Sequence, residues 1–307
     1  MNKQKVIVIA GPTASGKTSL GVDLAKRVDG EVISGDSMQI YKDMSIGTAK
    51  PTIEEMNGIP HYLIDFVLPN ERYSVANFKK DAEEKIADIL ARGKIPIIVG
   101  GTGLYIDSVI YGIEYPELEY DEDYRNELME IAKTDEGLSR LYEEAKQIDA
   151  EAIEKISSND RKRIIRILEI YKATGKNKTD MEIASRSGGI KYDYKVFAIN
   201  MDRENLYERI NLRVDLMIEK GLIDEVKSLI DKYDYFPTAM QGLGYKEVVQ
   251  YIDGNLTKEE MIDKIKQETR RYAKRQLTWF RKNKDIIWLD GLDDREKNIS
   301  IILDNIW

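Results

Sequence analysis

Gly11-Pro12-Thr13-Ala14-Ser15-Gly16-Lys17-Thr18 decides how the rest of this chain is read. Two glycines enclose four residues, and Lys and Thr follow, the pattern of a loop that cradles phosphate. Its flanks match that context. Val6–Ala10 precedes it as a strand, and a helical run from Ser19 to Val28 follows. Gly11 and Gly16 let the backbone turn so that successive N–H groups aim at one anion. The helix N-terminus adds its dipole. Lys17 supplies a mobile positive charge, and Thr18 a hydroxyl suited to Mg²⁺. A nucleoside triphosphate and a diphosphate ester both fit such a loop.

Outward from the loop, short apolar runs alternate with helical patterns over residues 1–115. Val6–Ala10, Glu31–Gly35, His61–Phe66 and Ile95–Val99 read as strands, and Val75–Ala91 as a helix. This alternation predicts an α/β fold, a P-loop NTPase-like parallel sheet with helices on both faces. The character changes near Tyr115. Residues 117–155 are rich in Glu and Asp, with helical periodicity and no convincing strand. Asp160 reads as the N-cap of a helix to about Ala173, with Ile164, Ile167, Leu168 and Tyr171 on its buried face. Lys195–Asn200 returns to strand, long helices follow, and Ile286–Leu289 is a late short strand. The expected organisation is a core of residues 1–115 and 195–307 with an all-helical insertion domain over 116–194.

Several further groups fall where chemistry is expected. Asp36 ends the second strand, and ligands of open parallel sheets sit beyond the carboxyl ends of strands. It could hold Mg²⁺ through water, act as a general base, or cap a helix. Gly100-Gly-Thr-Gly-Leu-Tyr105 follows the fourth strand at the same edge, so Thr102 would line a second wall of one pocket. Arg209 and Arg213 share a helix face, where they neutralise a leaving phosphate or are merely solvated. Residues 269–284 contain seven cations and no acid. Arg271, Arg275, Thr278 and Lys282 form one stripe, opposite Ala273, Leu277 and Phe280. With Arg161, Lys162, Arg163 and Arg166 they offer a surface for a phosphate backbone.

Composition narrows the classes. The 307 residues are 42% hydrophobic and 33% charged, with a net charge of −8. No apolar run approaches a membrane span, and the N-terminus runs straight into a strand, so neither a span nor a signal peptide is expected. Cysteine is absent, which removes disulfides and Cys-based zinc and suits the cytoplasm. His61 is the only histidine, so His-based triads and multi-His metal sites are excluded by count.

Taken together the motifs resemble the tRNA dimethylallyltransferase family, in its bacterial form. The resembling stretches are Gly11–Thr18, Asp36–Gln39, Ile46–Pro51, Gly58–Asp65, Tyr73–Val75, Gly100–Tyr105, Asn159–Glu169, Arg213–Asp215, Gly221-Leu222, Gln241–Glu247 and Arg271–Arg281. They span nearly the whole chain in order. One departure is Tyr62, where many members carry a second His after His61. The resemblance implies transfer of a dimethylallyl group from dimethylallyl diphosphate to the exocyclic amine of the adenine 3′ of the anticodon in tRNA, with Mg²⁺. It implies that Gly11–Thr18 hold the diphosphate, and that Lys17, Thr18 and Arg213 stabilise the leaving group. Asp36 would take the amine proton, and Thr102 would line the pocket. Ser37, Met38, Gln39, Arg125, Asp160, Arg161, Lys162, Arg163, Ile164, Gln241, Gly242, Leu243, Gly244, Tyr245, Lys246, Lys274, Arg275 and Arg281 would contact tRNA. Gln39 could pair bidentately with an adenine edge, and the insertion would clamp the anticodon loop. A cytoplasmic monomer is expected. A small-molecule kinase using ATP, a prenyltransferase acting on free adenine nucleotide, and an RNA-binding protein without chemistry are the alternatives.

Overall fold

The computed structural model describes residues 3–115, 121–186 and 189–306. β1 (Lys5–Ala10) leads through the phosphate loop into α1 (Lys17–Val28). β2 (Gly30–Ser34), the short α2 (Ile53–Met56), β3 (His61–Tyr62), α3 (Val75–Ala91), β4 (Ile95–Gly100) and α4 (Gly103–Ile110) follow. Five helices come next: α5 (Glu122–Ile131), α6 (Asp135–Ile148), α7 (Ala150–Glu154), α8 (Arg161–Thr174) and α9 (Lys178–Ser185). The chain then re-enters the sheet as β5 (Asp193–Asn200). It continues through α10 (Arg203–Glu219), α11 (Leu222–Lys232), α12 (Tyr245–Ile252) and α13 (Lys258–Phe280) to β6 (Ile287–Asp290) and α14 (Arg295–Ile306).

Every strand pairing is parallel, in the order β3-β2-β4-β1-β5-β6. Parallel neighbours need a crossover, which is why helical and strand patterns alternate in the sequence. Because side chains alternate across a strand, each run serves two cores. Val6, Val8 and Ala10 of β1 pack with Phe78, Ala82 and Ile86 of α3 and Ile106 and Val109 of α4. Ile7 and Ile9 face the other way, onto Leu20 and Leu24 of α1 and Ile299 and Ile302 of α14. Burial on both faces explains why β1 reads as an unbroken apolar run.

The chain divides into Met1–Ile110 with Lys191–Trp307, and Tyr111–Ile190. The second unit contains α5 to α9 around a core of Leu128, Leu138, Leu141, Ile153, Ile164, Ile165, Ile167 and Leu168. Residues 116–120, where the insertion is expected to begin, lie outside the described residues. In the first unit, α10 to α13 enclose a separate core with Ile40, Tyr41, Leu222, Val226, Tyr245, Val248 and Ile265. Among the described residues no helix is long and apolar enough to cross a membrane.

Three details differ from the sequence reading. The strand expected over His61–Phe66 is two residues long, because Leu63 and Asp65 take left-handed backbone (φ 57° and 59°) that breaks the ladder. On α8, Asp160 caps the helix as expected and Gly175 ends it at φ 67°, but Tyr171 is exposed. Ile165 is buried in its place, since α5 and α6 both pack on α8 and widen the covered face. Lys282, expected at the end of the basic helical stripe, lies in a turn beyond α13.

Candidate functional site

Gly11 takes φ 154° and Gly16 φ 90°, both in the region that glycine tolerates. Ala14 is left-handed too, at φ 64°, a strain of about 1 kcal/mol for a residue with a Cβ. Its methyl offsets this by burying among Met201, Leu206, Ile210, Ala273 and Leu277. Most helices here start on a Ser, Thr, Asp or Asn cap, for example Ser74 on α3 and Thr257 on α13. α1 starts on Gly16 with no side-chain cap. Its first-turn N–H groups therefore remain open to an anion.

The register sets three loops side by side. Ala10 pairs with Gly100 and Ser34 with Val99, so the segments after β1, β2 and β4 leave neighbouring strands at one level. Asp36 lies two residues beyond β2. Its Oδ1 accepts from Met38 N at 2.9 Å and Gln39 N at 3.4 Å, which fixes the carboxylate on its own turn. Thr102 Oγ1 accepts from Ser37 N at 3.0 Å and donates to Ser37 Oγ at 3.2 Å, stitching the β2 loop to the β4 loop.

Gln39 departs from the bidentate adenine contact expected of it. Its Oε1 accepts from Ser34 Oγ at 3.2 Å, and its Nε2 donates to the carbonyls of Thr48 and Ala49 at 3.3 and 3.2 Å. Both ends of the amide are thus engaged in holding the loop. Glu225 completes that loop by accepting from Ser45 N, Ile46 N and Gly47 N at 2.9, 2.7 and 3.1 Å, and from Tyr245 Oη at 2.6 Å.

Positive charge is concentrated beside the carboxylate. Lys17 Nζ donates to Pro12 O at 3.2 Å. Its pKa is pulled down from 10.5 to about 8, mainly by burial; Asp36 opposes the shift and Arg213 adds to it. Arg213 is also lowered, by burial first and then by Arg209, while Glu55 and Asp36 act in the other direction. Arg213 Nη1 donates to Thr13 Oγ1 at 3.3 Å. Like charges crowded in this way, at the open end of a helix, form a site that a polyanion relieves. The structure thus brings Lys17, Asp36, Thr102 and Arg213 to one sheet edge, with the Gly11–Thr18 loop.

Two residues of this edge escape the sequence reading. Gln276 of α13 is buried. It accepts from Thr13 N at 2.9 Å and donates to Gly101 O at 2.9 Å. Tyr272, one turn earlier, is half-buried beside Thr102 and Gln276; burial and then Asp36 push its pKa up to about 12. A signal exists for Gln276. Ala273, Gln276, Leu277 and Phe280 follow helical spacing, so a polar residue sits on a buried face and must find partners there.

Other expected RNA-contacting residues divide by exposure. Arg161, Lys162, Arg163, Gln241, Lys274, Arg275 and Arg281 are exposed, and Lys246 is half-buried. Ile164 and Tyr245 are fully buried, each in the core of its own unit, and serve packing. Arg125 is tied to the buried Glu169 at 2.7 Å. A Cβ at Gly242 would lie 2.6 Å from Cε at the movable end of Met38. Leu243 is half-buried, and Gly244, at φ 92°, donates its N–H to Glu247 at 2.9 Å. His61 Nδ1 donates to Ile59 O at 2.8 Å, and burial lowers the ring's pKa. Tyr62 donates to Glu31 Oε2 at 2.9 Å within a cluster with Arg92 and Lys94. Both residues are thus built into the edge of the sheet.

Among the described residues no group of three His, Cys, Asp or Glu could hold a metal by itself. The donor set fits Mg²⁺ in a different way. Thr18 follows Lys17 at the start of α1, and a hydroxyl combined with substrate phosphate oxygens and water suits this ion.

The chain matches the IPP transferase family model over residues 39–283. It is 50% identical to the tRNA dimethylallyltransferase of Acetivibrio thermocellus over 297 residues, 96% of this chain and 95% of the relative. The enzyme of the same name from Carboxydothermus hydrogenoformans is 51% identical over 295 residues, 96% and 94% of the two chains. Among solved structures, the full-length tRNA isopentenylpyrophosphate transferase of Bacillus halodurans superposes with a TM-score of 0.74 at 46% identity, covering 99% of this chain and 96% of that one. A eukaryotic dimethylallyltransferase acting on tRNA superposes with a TM-score of 0.78 at 32% identity, covering 99% and 79%.

Proposed function

The chain belongs to the IPP transferase family, which includes the tRNA dimethylallyltransferases, and we propose that it transfers a dimethylallyl group to tRNA by displacing pyrophosphate. The donor is dimethylallyl diphosphate. The acceptor is the exocyclic amine of the adenine on the 3′ side of the anticodon. A carbon–nitrogen bond forms, the allylic carbon–oxygen bond breaks, and one amine proton is lost.

The observation that carries this reading is the shared level of three loops: the uncapped phosphate loop, the Asp36 turn and the Thr102 turn. The diphosphate sits in the Gly11–Thr18 loop, where Lys17 and Arg213 meet the charge that grows on departing pyrophosphate. Mg²⁺, held by Thr18 and phosphate oxygens, would supply further positive charge there. The adenine leaves its stack to reach the pocket. Asp36 orients its amine and takes the proton. Among the described residues Asp36 Oδ2 has no hydrogen-bond donor, while Oδ1 is held by the turn. One oxygen fixes the group and the other faces the reaction. Carboxylates are weak bases, so the proton moves late, after the allylic carbon has become cationic.

Two exposed basic surfaces suit the RNA. Lys274 and Arg275 lie on the outer side of α13, and Arg161, Lys162 and Arg163 open α8. Cations in a first helical turn oppose the helix dipole; Asp160 relieves this in part by meeting Arg163 at 3.0 Å, and an RNA phosphate would relieve it further. The reading extends to a cytoplasmic monomer.

The test is one incubation of the protein with dimethylallyl diphosphate, Mg²⁺ and an unmodified tRNA carrying adenines in its anticodon loop, followed by nucleoside mass spectrometry. Adenosine in tRNA should gain one isopentenyl unit, and free AMP none. A gain on AMP alone moves the protein to free nucleotides. No gain on either, with ATP turnover, makes it a kinase.

A further inference from the structure

We infer that Gln276 is a positioning residue whose single amide sets the gap between the phosphate loop and the Gly100–Tyr105 loop, tying the RNA-facing helix α13 to the diphosphate site. This rests on the reading proposed above. Thr13 N donates to Oε1, and Nε2 donates to Gly101 O, both at 2.9 Å. The residue is 5% exposed, so no water competes for either bond. Only a side chain that accepts at one end and donates at the other can join a backbone N–H to a backbone carbonyl. Gln276 does this with a fixed reach.

The surroundings are shaped to it. A Cβ at Gly101 would lie 2.2 Å from Nε2, and one at Gly103 would lie 2.3 Å from Trp279 Cδ1. Gly101 and Gly103 thus let α13 come close. Trp279 Nε1 donates to Asp107 Oδ2 at 2.8 Å, pinning α13 to α4 one turn beyond. On the other side Thr102, the residue after Gly101, holds Ser37 next to Asp36. The linkage therefore runs from Thr13 through Gln276 of α13 to Gly101, and from the adjoining Thr102 to the turn that carries the carboxylate. The opposite face of the same helix exposes Arg271, Lys274 and Arg275. Contact with RNA on that face and contact with diphosphate at the loop act on one rigid element.

The experiment measures binding of inorganic pyrophosphate with Mg²⁺ by calorimetry, together with KM for each substrate. Gln276→Glu keeps the acceptor for Thr13 N but sets an oxygen against Gly101 O. It should weaken pyrophosphate roughly ten- to hundredfold, as displacement of a site by about 1 Å does. Lowering the pH should narrow that gap to wild type, because protonation of the introduced carboxyl restores a donor. Gln276→Met should weaken binding at every pH. Gly101→Ala, which pushes the amide aside from the loop, should do the same. KM for the prenyl donor should rise while KM for tRNA stays. Ile302→Ala, in the core against α1, is the control that loses stability with pyrophosphate affinity unchanged. Folded Gln276→Glu and Gly101→Ala variants that bind pyrophosphate within twofold of wild type overturn the inference. Wild-type protein that binds no pyrophosphate refutes the proposed function itself, which separates the two failures.

Discussion

Lys17→Met should make the free protein more stable while abolishing its hold on diphosphate. The wild-type ammonium sits in a half-buried site that lowers its pKa from 10.5 to about 8. That displacement corresponds to about 3 kcal/mol spent on burying the charge. The sign follows from proton binding. Between pH 8 and 10.5 the unfolded chain keeps a proton on this lysine that the folded chain has released. Wild-type stability therefore rises with pH across that window, and the full penalty is present below it. Methionine fills similar space without a charge, so the variant escapes the penalty at pH 7 and gains little at pH 10.5. At roughly 2–4 °C per kcal/mol for a protein of this size, the variant should melt about 6–12 °C higher at pH 7. Scanning calorimetry at pH 6.5, 8 and 10 checks the convergence. Added pyrophosphate should raise the melting temperature of wild type and leave the variant unmoved. Turnover should fall about 10²- to 10³-fold, the usual cost of losing one preorganised donor to developing negative charge. A variant that melts at or below wild type at pH 7, with the same pH slope, would refute the claim that burial strains this lysine.

Asp36→Asn keeps an acceptor for Met38 N and removes the base; kcat should drop about 10²- to 10⁴-fold with tRNA binding retained, and wild-type turnover would remove Asp36 from the chemistry. Lys274→Ala and Arg275→Ala should each lessen the slope of log affinity for tRNA against log salt by about 0.7–0.9 for every phosphate left without its cation; an unchanged slope in filter binding places α13 away from the RNA backbone. Tyr245→Phe gives up the 2.6 Å bond to Glu225 and should cost about 1 kcal/mol in chemical denaturation, with tRNA affinity unchanged.

The parts legible in the sequence were those whose cause is local. The phosphate loop declares itself because two glycines, a lysine and a threonine act through their own backbone and side chains. β1 is legible because burial on both faces leaves four consecutive branched residues, Val6 to Ile9. α8 is legible at its ends, where Asp160 and Gly175 act within one turn of the helix. What was not legible depended on partners distant in the chain. The face of α8 is wider than its period suggests because two other helices cover it. Gln39 looks free to read a base until Thr48 and Ala49 fold back to take its amide. Tyr245 sits in a motif that suggests contact with substrate, yet its hydroxyl meets Glu225 and its ring takes the space that Gly47 vacates, with a Cβ there only 2.5 Å from Cε2. Gln276 reveals only that a buried amide needs partners; that they are Thr13 and Gly101 is decided by the sheet order.

That order also governs when the protein can finish folding during its synthesis. β1 needs β4 on one edge and β5 on the other. Between Gly100 and Asp193 the ribosome adds roughly ninety residues, which at about 5–20 residues per second takes about 5–20 s. For that interval one edge of Val6-Ile7-Val8-Ile9 carries open backbone groups, the template on which strands of other chains pair. The clamp at Gln276 arrives later still, after β5 has docked. The nascent chain therefore carries its phosphate loop early and its working geometry late, and its hazard of self-association is concentrated in the seconds when the five-helix segment is being made.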